Sequence, residues 1–211
     1  MITAFIPAKS RSTRLPGKNF RPLCGKSLVQ RAIEWCRQEP LIDSIVLATD
    51  ARVDFEDVRR WSLTEEDLTE ERSAFALMCD FARLQPPDML LACIMATAPF
   101  RLHSEFRRAV QELKKGEYNF CVSVFDLHIP PAGDRSGVWR SQDREPMRFP
   151  AASWRIGAAG VFAQYQQNHP PVERVCWFSV HPVGMVDIDY PEDWELAEWI
   201  APSWDQMQPQ P

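Results

Sequence analysis

Four cationic side chains lie within ten residues near the start of the chain, with three hydroxyl side chains between them. These residues are Lys9, Ser10, Arg11, Ser12, Thr13, Arg14 and Lys18. They follow an apolar run, residues 2–6, that predicts a short buried strand. A strand that ends in such a loop suits a polyanion such as a nucleoside triphosphate, because backbone N–H groups can form a concave nest, hydroxyls donate hydrogen bonds and cations neutralise charge. Taken alone, a basic loop of this kind is more often a solvated surface loop than a binding site.

Two carboxylates, Asp187 and Asp189, lie near the other end of the chain. Residues 183–189 predict a strand, on which side chains at i and i+2 share one face with Cα atoms about 6.5–7 Å apart. Mg²⁺ is commonly bound by one or two protein carboxylates together with phosphate oxygens. A cationic loop and a carboxylate pair together would suit metal-assisted phosphoryl transfer. The alternative is that Asp189 caps the next helix and that Asp187 is merely exposed.

Alternating strands and helices must position these groups. After the first strand, apolar runs predict strands at residues 44–49, 89–95, 119–125, 153–162 and 175–180. Helical spacing predicts helices that begin at Ser27, Ser73, Ser104 and Pro191. The first strand, helix and second strand form a βαβ unit with a right-handed crossover. Four or five such alternations followed by a mixed region predict a mainly parallel, three-layer α/β sheet.

The 211-residue chain is predicted to form one domain over residues 1–200. Residues 126–150 are rich in Pro, Gly, Arg and Asp, which predicts an inserted surface arm. The tail at 201–211 is rich in Pro and Gln and is predicted to be frayed and disordered.

Composition excludes several classes of protein. The net charge of −5 argues against a general nucleic-acid binder. No apolar run approaches the roughly 18–20 residues of a membrane span, and the first residues lack the pattern of a signal peptide. The six cysteines show no Cys-x-x-Cys spacing and are expected to be small buried side chains in a reducing compartment. We therefore expect a cytoplasmic protein.

The first motif resembles that of a known family. Residues 6–19, Ile-Pro-Ala-Lys-Ser-Arg-Ser-Thr-Arg-Leu-Pro-Gly-Lys-Asn, resemble the opening motif of the sugar-acid cytidylyltransferases. Segments 23–28, 48–50, 140–143 and 186–194 resemble later motifs of that family in the same order. Residues 94–100, Ile-Met-Ala-Thr-Ala-Pro-Phe, look like a segment of pseudaminic acid cytidylyltransferases. The chain is thus similar to the CMP-nonulosonic acid synthetases, which include the acylneuraminate and pseudaminic acid cytidylyltransferases.

The resemblance implies a Rossmann-like nucleotidyltransferase fold with a mainly parallel sheet and a short β-rich arm, through which two copies would pair as a homodimer. It also implies the reaction. The anomeric hydroxyl of a nine-carbon 2-keto sugar acid would attack the α-phosphorus of CTP, giving a CMP-sugar for cell-surface glycan synthesis and pyrophosphate.

The resemblance also assigns roles by position in the motifs. CTP would be bound by Lys9, Ser12, Arg14, Lys18 and Asn19. Asp187 and Asp189 would hold Mg²⁺, and these two carboxylates with Lys18 would form the catalytic set. The sugar would be approached by Thr97, Ala98, Gln142 and Arg155.

Two alternatives stay open. The loop also suits a 3-deoxy-manno-octulosonate cytidylyltransferase, but the segment Ala-Thr-Ala-Pro at 96–99 lacks the metal-binding acid typical of that family. Shortened loops, together with Lys9 and Met95, favour a non-catalytic nucleotide-binding or partner-binding subunit. The joint presence of Lys18, Asn19, Asp187 and Asp189 opposes that alternative.

Overall fold

The computed structural model describes residues 1–69, 71–127, 146–164 and 174–207. Nine strands are found in this part of the chain: β1 (Ile2–Pro7), β2 (Pro22–Leu23), β3 (Lys26–Ser27), β4 (Ser44–Thr49), β5 (Val58–Ser62), β6 (Leu90–Ile94), β7 (Phe120–Leu127), β8 (Met147–Ala158) and β9 (Val175–Ser179). The α-helices described are α1 (Leu28–Gln38), α2 (Ala74–Arg83), α3 (His103–Lys114), α4 (Ala159–Ala163) and α5 (Pro191–Met207).

One mixed sheet runs through the centre of the described structure in the order β5-β4-β1-β6-β8-β7-β9. Its pairs β1–β4, β1–β6, β4–β5 and β7–β9 are parallel, while β8 is antiparallel to both β6 and β7. Every residue of β1 is buried, as expected for the central strand of a sheet covered on both faces. The predicted mainly parallel sheet is therefore confirmed.

Helices cover both faces of the sheet. Adjacent residues on β1 point to opposite sides, so that Phe5 belongs to one apolar cluster and Ile6 to the other. The Ile6 cluster receives side chains from α1, α3 and α5, and the Phe5 cluster receives those of α2 and α4. This arrangement confirms the predicted three layers. Among the described helices, none is long and apolar enough to cross a membrane.

Serine caps begin two of the helices where the sequence predicts them. Ser27 caps α1 with a reciprocal capping box: the Gln30 amide donates to the Ser27 hydroxyl at 3.2 Å, and the Ser27 amide donates to the Gln30 side chain at 2.7 Å. Ser73 caps α2, since the Ala76 amide donates to the Ser73 hydroxyl at 3.0 Å. The prediction that Ser104 caps α3 is wrong. That helix begins at His103. The His103 ring stacks on the Trp35 ring with 4.7 Å between the ring centres, and this contact fixes the first turn.

Three other boundaries differ from the prediction. The predicted strand at 153–162 ends at Ala158, where α4 begins, because the next two amides donate to backbone carbonyls just before β6. Residues 183–189 do not form a strand: Pro182–Met185 is a 3-10 turn, followed by an extended segment outside the sheet. Helix α5 continues to Met207 because Ala201 and Trp204 are buried against the core, so the predicted fraying of residues 201–207 is wrong.

The structure describes the base of the predicted arm. At the base of the predicted arm, β7 and β8 pair in antiparallel register from Val124↔Pro150 to Leu127↔Met147. Residues 128–145 and 208–211, which hold the rest of the arm and the end of the tail, lie outside the described residues.

All six cysteines are free thiols, and four of them are buried as predicted. Cys24 is exposed, since it lies in the tight turn between β2 and β3 with a positive φ of 49°.

Candidate active site

The cationic loop begins at the carboxyl end of β1, between the ends of β4 and β6. In open α/β sheets, ligands bind outside the carboxyl ends of the parallel strands. Asp50, just after β4, holds the start of the loop: the Ser10 amide donates to its Oδ1 at 2.7 Å, and the Ser10 hydroxyl donates to its other oxygen. Burial alone would raise the pKa of Asp50, but these hydrogen bonds outweigh burial and lower it. Asp50 is therefore an ionised anchor for the loop.

Lys9 is turned toward a neighbouring loop. Its ammonium donates to the carbonyls of Thr69 at 2.9 Å and Arg72 at 2.6 Å. Burial, followed by the nearby Arg72 guanidinium, lowers the pKa of Lys9. The carbonyl of Lys9 accepts a hydrogen bond of 2.9 Å from the Asn19 side-chain amide, while the Asn19 side-chain oxygen is buried without a partner among the described residues. Lys9 thus ties the first loop to the segment that precedes α2.

Lys18 and Arg14 meet the second carboxylate of the Asp-x-Asp pair. Lys18 is only 6% exposed; its ammonium donates to the Ile188 carbonyl at 2.7 Å and pairs with Asp189. The exposed Arg14 pairs with the other oxygen of Asp189 at 2.7 Å. A hydrogen bond with the Tyr190 side chain is the largest cause of the raised pKa of Arg14, and the charge of Asp189 adds to it. The structure therefore brings the cationic loop and Asp189 together.

Asp187 lies deeper than Asp189. Its Oδ1 atom is buried without a hydrogen-bond partner among the described residues. Burial, aided by the charge of Asp189, raises the pKa of Asp187, while hydrogen bonding with the Thr97 side chain and the charge of Lys18 oppose the rise. The backbone of the segment is fixed by the Ile188 amide, which donates to the Thr97 carbonyl at 2.8 Å.

This arrangement fits a divalent cation. A buried carboxylate oxygen without a donor, beside a second carboxylate, is what an oxygen-binding cation would satisfy. Within the described ranges no group of three His, Cys, Asp or Glu side chains could hold a metal. A cation held by Asp187 and Asp189 would thus take its other ligands from phosphate oxygens and water, as Mg²⁺ commonly does.

The remaining predicted residues lie at different places. Thr97 and Ala98 are buried in the turn after β6, beside the Asp187 segment. Ser12 is half-buried within the cationic loop. Arg155 lies on β8 opposite Cys93, with its guanidinium 5.0 Å from the centre of the Phe75 ring, so it faces the α2 layer. Gln142 lies outside the described residues.

Sequence reasoning missed three residues that shape the site. The sequence predicts Ser10 only as one hydroxyl of the loop and gives no signal for its anchoring to Asp50. Asp193 accepts hydrogen bonds from the amides of Asp189 and Tyr190 at 2.9 and 2.8 Å, which fixes the backbone at Asp189. An acid at the third position of a helix that begins at Pro191 is a capping signal that could have identified it. Arg101, buried behind the turn that contains Thr97, carried no such signal.

Comparisons with known proteins identify the family of this chain. Residues 3–136 match a family model described as cytidylyltransferase. The chain is 31% identical to a CMP-N,N'-diacetyllegionaminic acid synthase from Legionella pneumophila, over 93% of this chain and 94% of that protein. It is 24% identical to a pseudaminic acid cytidylyltransferase from Campylobacter jejuni, over 92% of this chain and 93% of that protein.

A shorter match and a solved structure complete the comparison. A 3-deoxy-manno-octulosonate cytidylyltransferase from Syntrophotalea carbinolica is 47% identical, but only over 49 residues, or 23% of this chain and 20% of that protein. The structure of a CMP:2-keto-3-deoxy-manno-octonic acid synthetase superimposes with a TM-score of 0.71 at 13% identity, over 96% of this chain and 98% of that chain. At this identity the likeness concerns the fold alone, and it confirms the predicted nucleotidyltransferase architecture.

Proposed function

The chain belongs to the cytidylyltransferase family, and on that premise we propose that it transfers CMP from CTP to the anomeric hydroxyl of a nonulosonic acid, with release of pyrophosphate. One observation carries the proposal. Lys18 and Arg14 from the loop after β1 converge on Asp189, next to a second carboxylate, Asp187, that has an unpartnered buried oxygen. Cations for a triphosphate and oxygens for a metal therefore lie in one place.

The loop residues would bind the nucleotide. Lys18 is buried and held by the Ile188 carbonyl, so its ammonium is pre-positioned to neutralise charge that develops as pyrophosphate leaves. Arg14 is more exposed and can add a bidentate contact to phosphate oxygens. Ser12 would donate to the nucleotide from the same loop, and Asn19 would accept from it through its unpartnered side-chain oxygen. Lys9 would contribute mainly by keeping the loop in place, since its ammonium is directed toward the segment before α2 and not toward Asp189.

Asp187 and Asp189 would hold Mg²⁺. A divalent cation bound there would screen the phosphate charge and make the attacking hydroxyl more acidic. The residues of this chain prepare the site for it: Asp193 fixes the backbone of Asp189, and the Thr97 carbonyl fixes the segment between the two carboxylates.

The acceptor would be a nonulosonic acid of the legionaminic, pseudaminic or sialic type. The full-length relatives act on such sugars by name, whereas the similarity to the 3-deoxy-manno-octulosonate enzyme spans only a short segment. Thr97 and Ala98 would approach the sugar from the turn after β6. Arg155, whose guanidinium lies over the Phe75 ring on the α2 side of the sheet, would approach the sugar from β8, with Gln142 contributing from the arm. We place the reaction in the cytoplasm, with two copies pairing through the β7–β8 arm.

The experiment is a panel assay. The protein is incubated with CTP, Mg²⁺ and one acceptor at a time: a legionaminic acid, a pseudaminic acid, N-acetylneuraminic acid or 3-deoxy-manno-octulosonate. Pyrophosphate release is followed, and CMP-sugar is identified by mass spectrometry. We expect turnover with at least one nine-carbon acid. CTP binding without turnover on any acid would favour the non-catalytic alternative, and turnover only with the eight-carbon acid would refute the acceptor assignment.

A further inference from the structure

A buried arginine lies directly behind the turn that follows β6. Arg101 is 1% exposed, and its Nη1 donates to the carbonyls of Met95 and Ala98, each at 2.7 Å. Its guanidinium lies 5.3 Å from the centre of the Trp35 ring, and the indole N–H of Trp35 donates to the Arg101 carbonyl at 3.2 Å. The guanidinium is therefore held by two carbonyls of the turn and by the Trp35 ring.

Burying the charge of Arg101 is energetically unfavourable. Removing a guanidinium from water costs free energy that two carbonyl hydrogen bonds and one aromatic contact only partly offset. Its Nε and Nη2 atoms are buried without hydrogen-bond partners among the described residues. Burial lowers the pKa of Arg101 to about 10, so the side chain is still cationic at neutral pH. Both side-chain hydrogen bonds of this buried cation go to carbonyls of one turn, so its contacts are concentrated on that turn.

The turn that Arg101 holds is part of the proposed metal site. The Ala98 amide donates to the Met95 carbonyl at 3.2 Å, which closes the turn around Thr97. The Thr97 carbonyl accepts from the Ile188 amide at 2.8 Å, which fixes the backbone next to Asp187. The Thr97 side chain also acts on Asp187, because it opposes the rise that burial causes in the pKa of that carboxyl. A continuous series of hydrogen bonds thus leads from the Arg101 guanidinium through the turn to the backbone between Asp187 and Asp189.

We propose that Arg101 is a positioning residue for the metal site: it clamps the Met95 and Ala98 carbonyls so that Thr97 orients Asp187. The inference rests on the proposed function, because it takes Asp187 as a metal-binding carboxylate. Arg101 touches neither phosphate nor sugar in this account. Its effect is on the affinity for the cation, transmitted through Thr97.

A double-mutant cycle tests the proposal, with Mn²⁺ as the probe. Free Mn²⁺ is measured by electron paramagnetic resonance in the presence of the protein and CTP, without a sugar, so that no turnover is needed. We expect Arg101→Lys and Thr97→Val each to weaken Mn²⁺ binding by about tenfold, the lower end for residues that orient metal ligands. The double variant should lose about tenfold rather than about 100-fold, because both changes break the same series of contacts.

A second buried arginine is the matched control. Arg31 has a side chain that is 8% exposed, and it bonds to the Leu23 carbonyl and to Asp205 rather than to the turn. Arg31→Met should lower the melting temperature and leave Mn²⁺ affinity unchanged. Arg101→Lys keeps a positive charge at the position but not the planar fork, and its melting temperature checks that the fold is retained.

The outcomes separate this inference from the function on which it rests. Wild-type protein that binds no Mn²⁺ with CTP would contradict the metal assignment and the inference together. Wild-type binding with unchanged affinity in Arg101→Lys would overturn the inference alone. Additive losses in the double variant would also overturn it, because Arg101 would then act independently of Thr97.

Discussion

Lys18 and Asp189 form an ion pair across 171 positions of sequence, joining the loop after the first strand to the segment before the last helix. Lys18 is nearly buried, and its ammonium also donates to the carbonyl of Ile188. Arg14 takes the other oxygen of Asp189. The pair places the cationic loop and the carboxylates in one site, which is the geometry that the proposed nucleotidyl transfer requires.

Replacing Asp189 with Asn should abolish most of the activity while the fold remains. The variant loses a proposed metal ligand and the charge opposite Lys18, so we expect kcat to fall by at least about 100-fold. Pyrophosphate release gives the rate, and circular dichroism checks the fold. Asp205→Asn is the control, since Asp205 pairs with Arg31 and should leave the rate unchanged. A near wild-type rate in Asp189→Asn would refute the metal assignment.

The two cations on Asp189 should not contribute equally. Lys18→Met removes a buried charge and is expected to lower kcat/KM by about 100- to 1000-fold. The Arg14 side chain is 51% exposed. Solvent screens its charge, and Arg14→Met should cost about tenfold or less. Steady-state kinetics with CTP as the varied substrate measures both. An Arg14 variant as impaired as the Lys18 variant would show that burial does not set the contribution of these cations.

Lys9 should hold the segment before α2 in place. Lys9→Met removes two hydrogen bonds to the carbonyls of Thr69 and Arg72, so backbone amides in residues 64–73 should exchange hydrogen for deuterium faster. Mass spectrometry of the matching peptides measures the change. Lys26→Met, which breaks only a solvent-exposed pair with Glu34, is the control and should not alter that exchange. Unchanged exchange in Lys9→Met would mean that the loop is held by other contacts.

The lowered pKa of Asp50 predicts that the stability of the fold depends on pH. Its native pKa is lowered by the hydrogen bonds from Ser10, which outweigh the effect of burial. Because the native pKa is lowered, the ionised Asp50 stabilises the fold at pH values above about 3.9, the pKa of Asp in an unfolded chain. This stability is lost as the pH falls through the lower native pKa.

Urea unfolding of wild type and Asp50→Asn tests this expectation. The difference in unfolding free energy should be constant between about pH 8 and pH 5 and should shrink below about pH 4. Asp54→Asn is the control, because the side chain of Asp54 is 91% exposed. A difference that is unchanged down to pH 3 would contradict the assignment of the anchor to the ionised carboxylate.

The sequence predicted the elements whose patterns arise from burial. The apolar runs of β1, β4 and β6 fill both faces of a covered sheet, and Ser27 and Ser73 cap helices where they stand before amphipathic segments. Helix α5 begins at Pro191, as its sequence indicates. These features depend on residues close in the chain, so local patterns are enough to find them.

Other features depend on contacts that no local pattern records. Residues 186–189 alternate between apolar and polar side chains, yet they pair with none of the described strands, because alternation reports which side chains are buried and not how the backbone bonds. Val186 and Ile188 are buried in an extended segment held by the Thr97 carbonyl. Strand β5 lies at the sheet edge and contains Arg59 and Arg60, so it lacks the apolar signal of an inner strand.

The site itself was predicted in part. Motif order brought Lys18 and Asp189 into one hypothesis, and the structure brings them into contact. The attachment of Lys9 to the carbonyls of Thr69 and Arg72 was not predictable, because backbone carbonyls accept hydrogen bonds regardless of sequence. The same holds for Arg101, whose bonds to Met95 and Ala98 depend only on where the turn lies.

The most direct measurement of the central claim follows the two ends of the triphosphate. The protein is given Mg²⁺, a legionaminic or pseudaminic acid and CTP labelled with ³²P at either the α- or the γ-position. Attack at the α-phosphorus predicts that the α-label appears in a CMP-sugar and the γ-label in pyrophosphate, and that both are lost in Asp189→Asn. A γ-label that leaves as inorganic phosphate, or an α-label that stays in the nucleotide pool with every acid tested, would contradict the account.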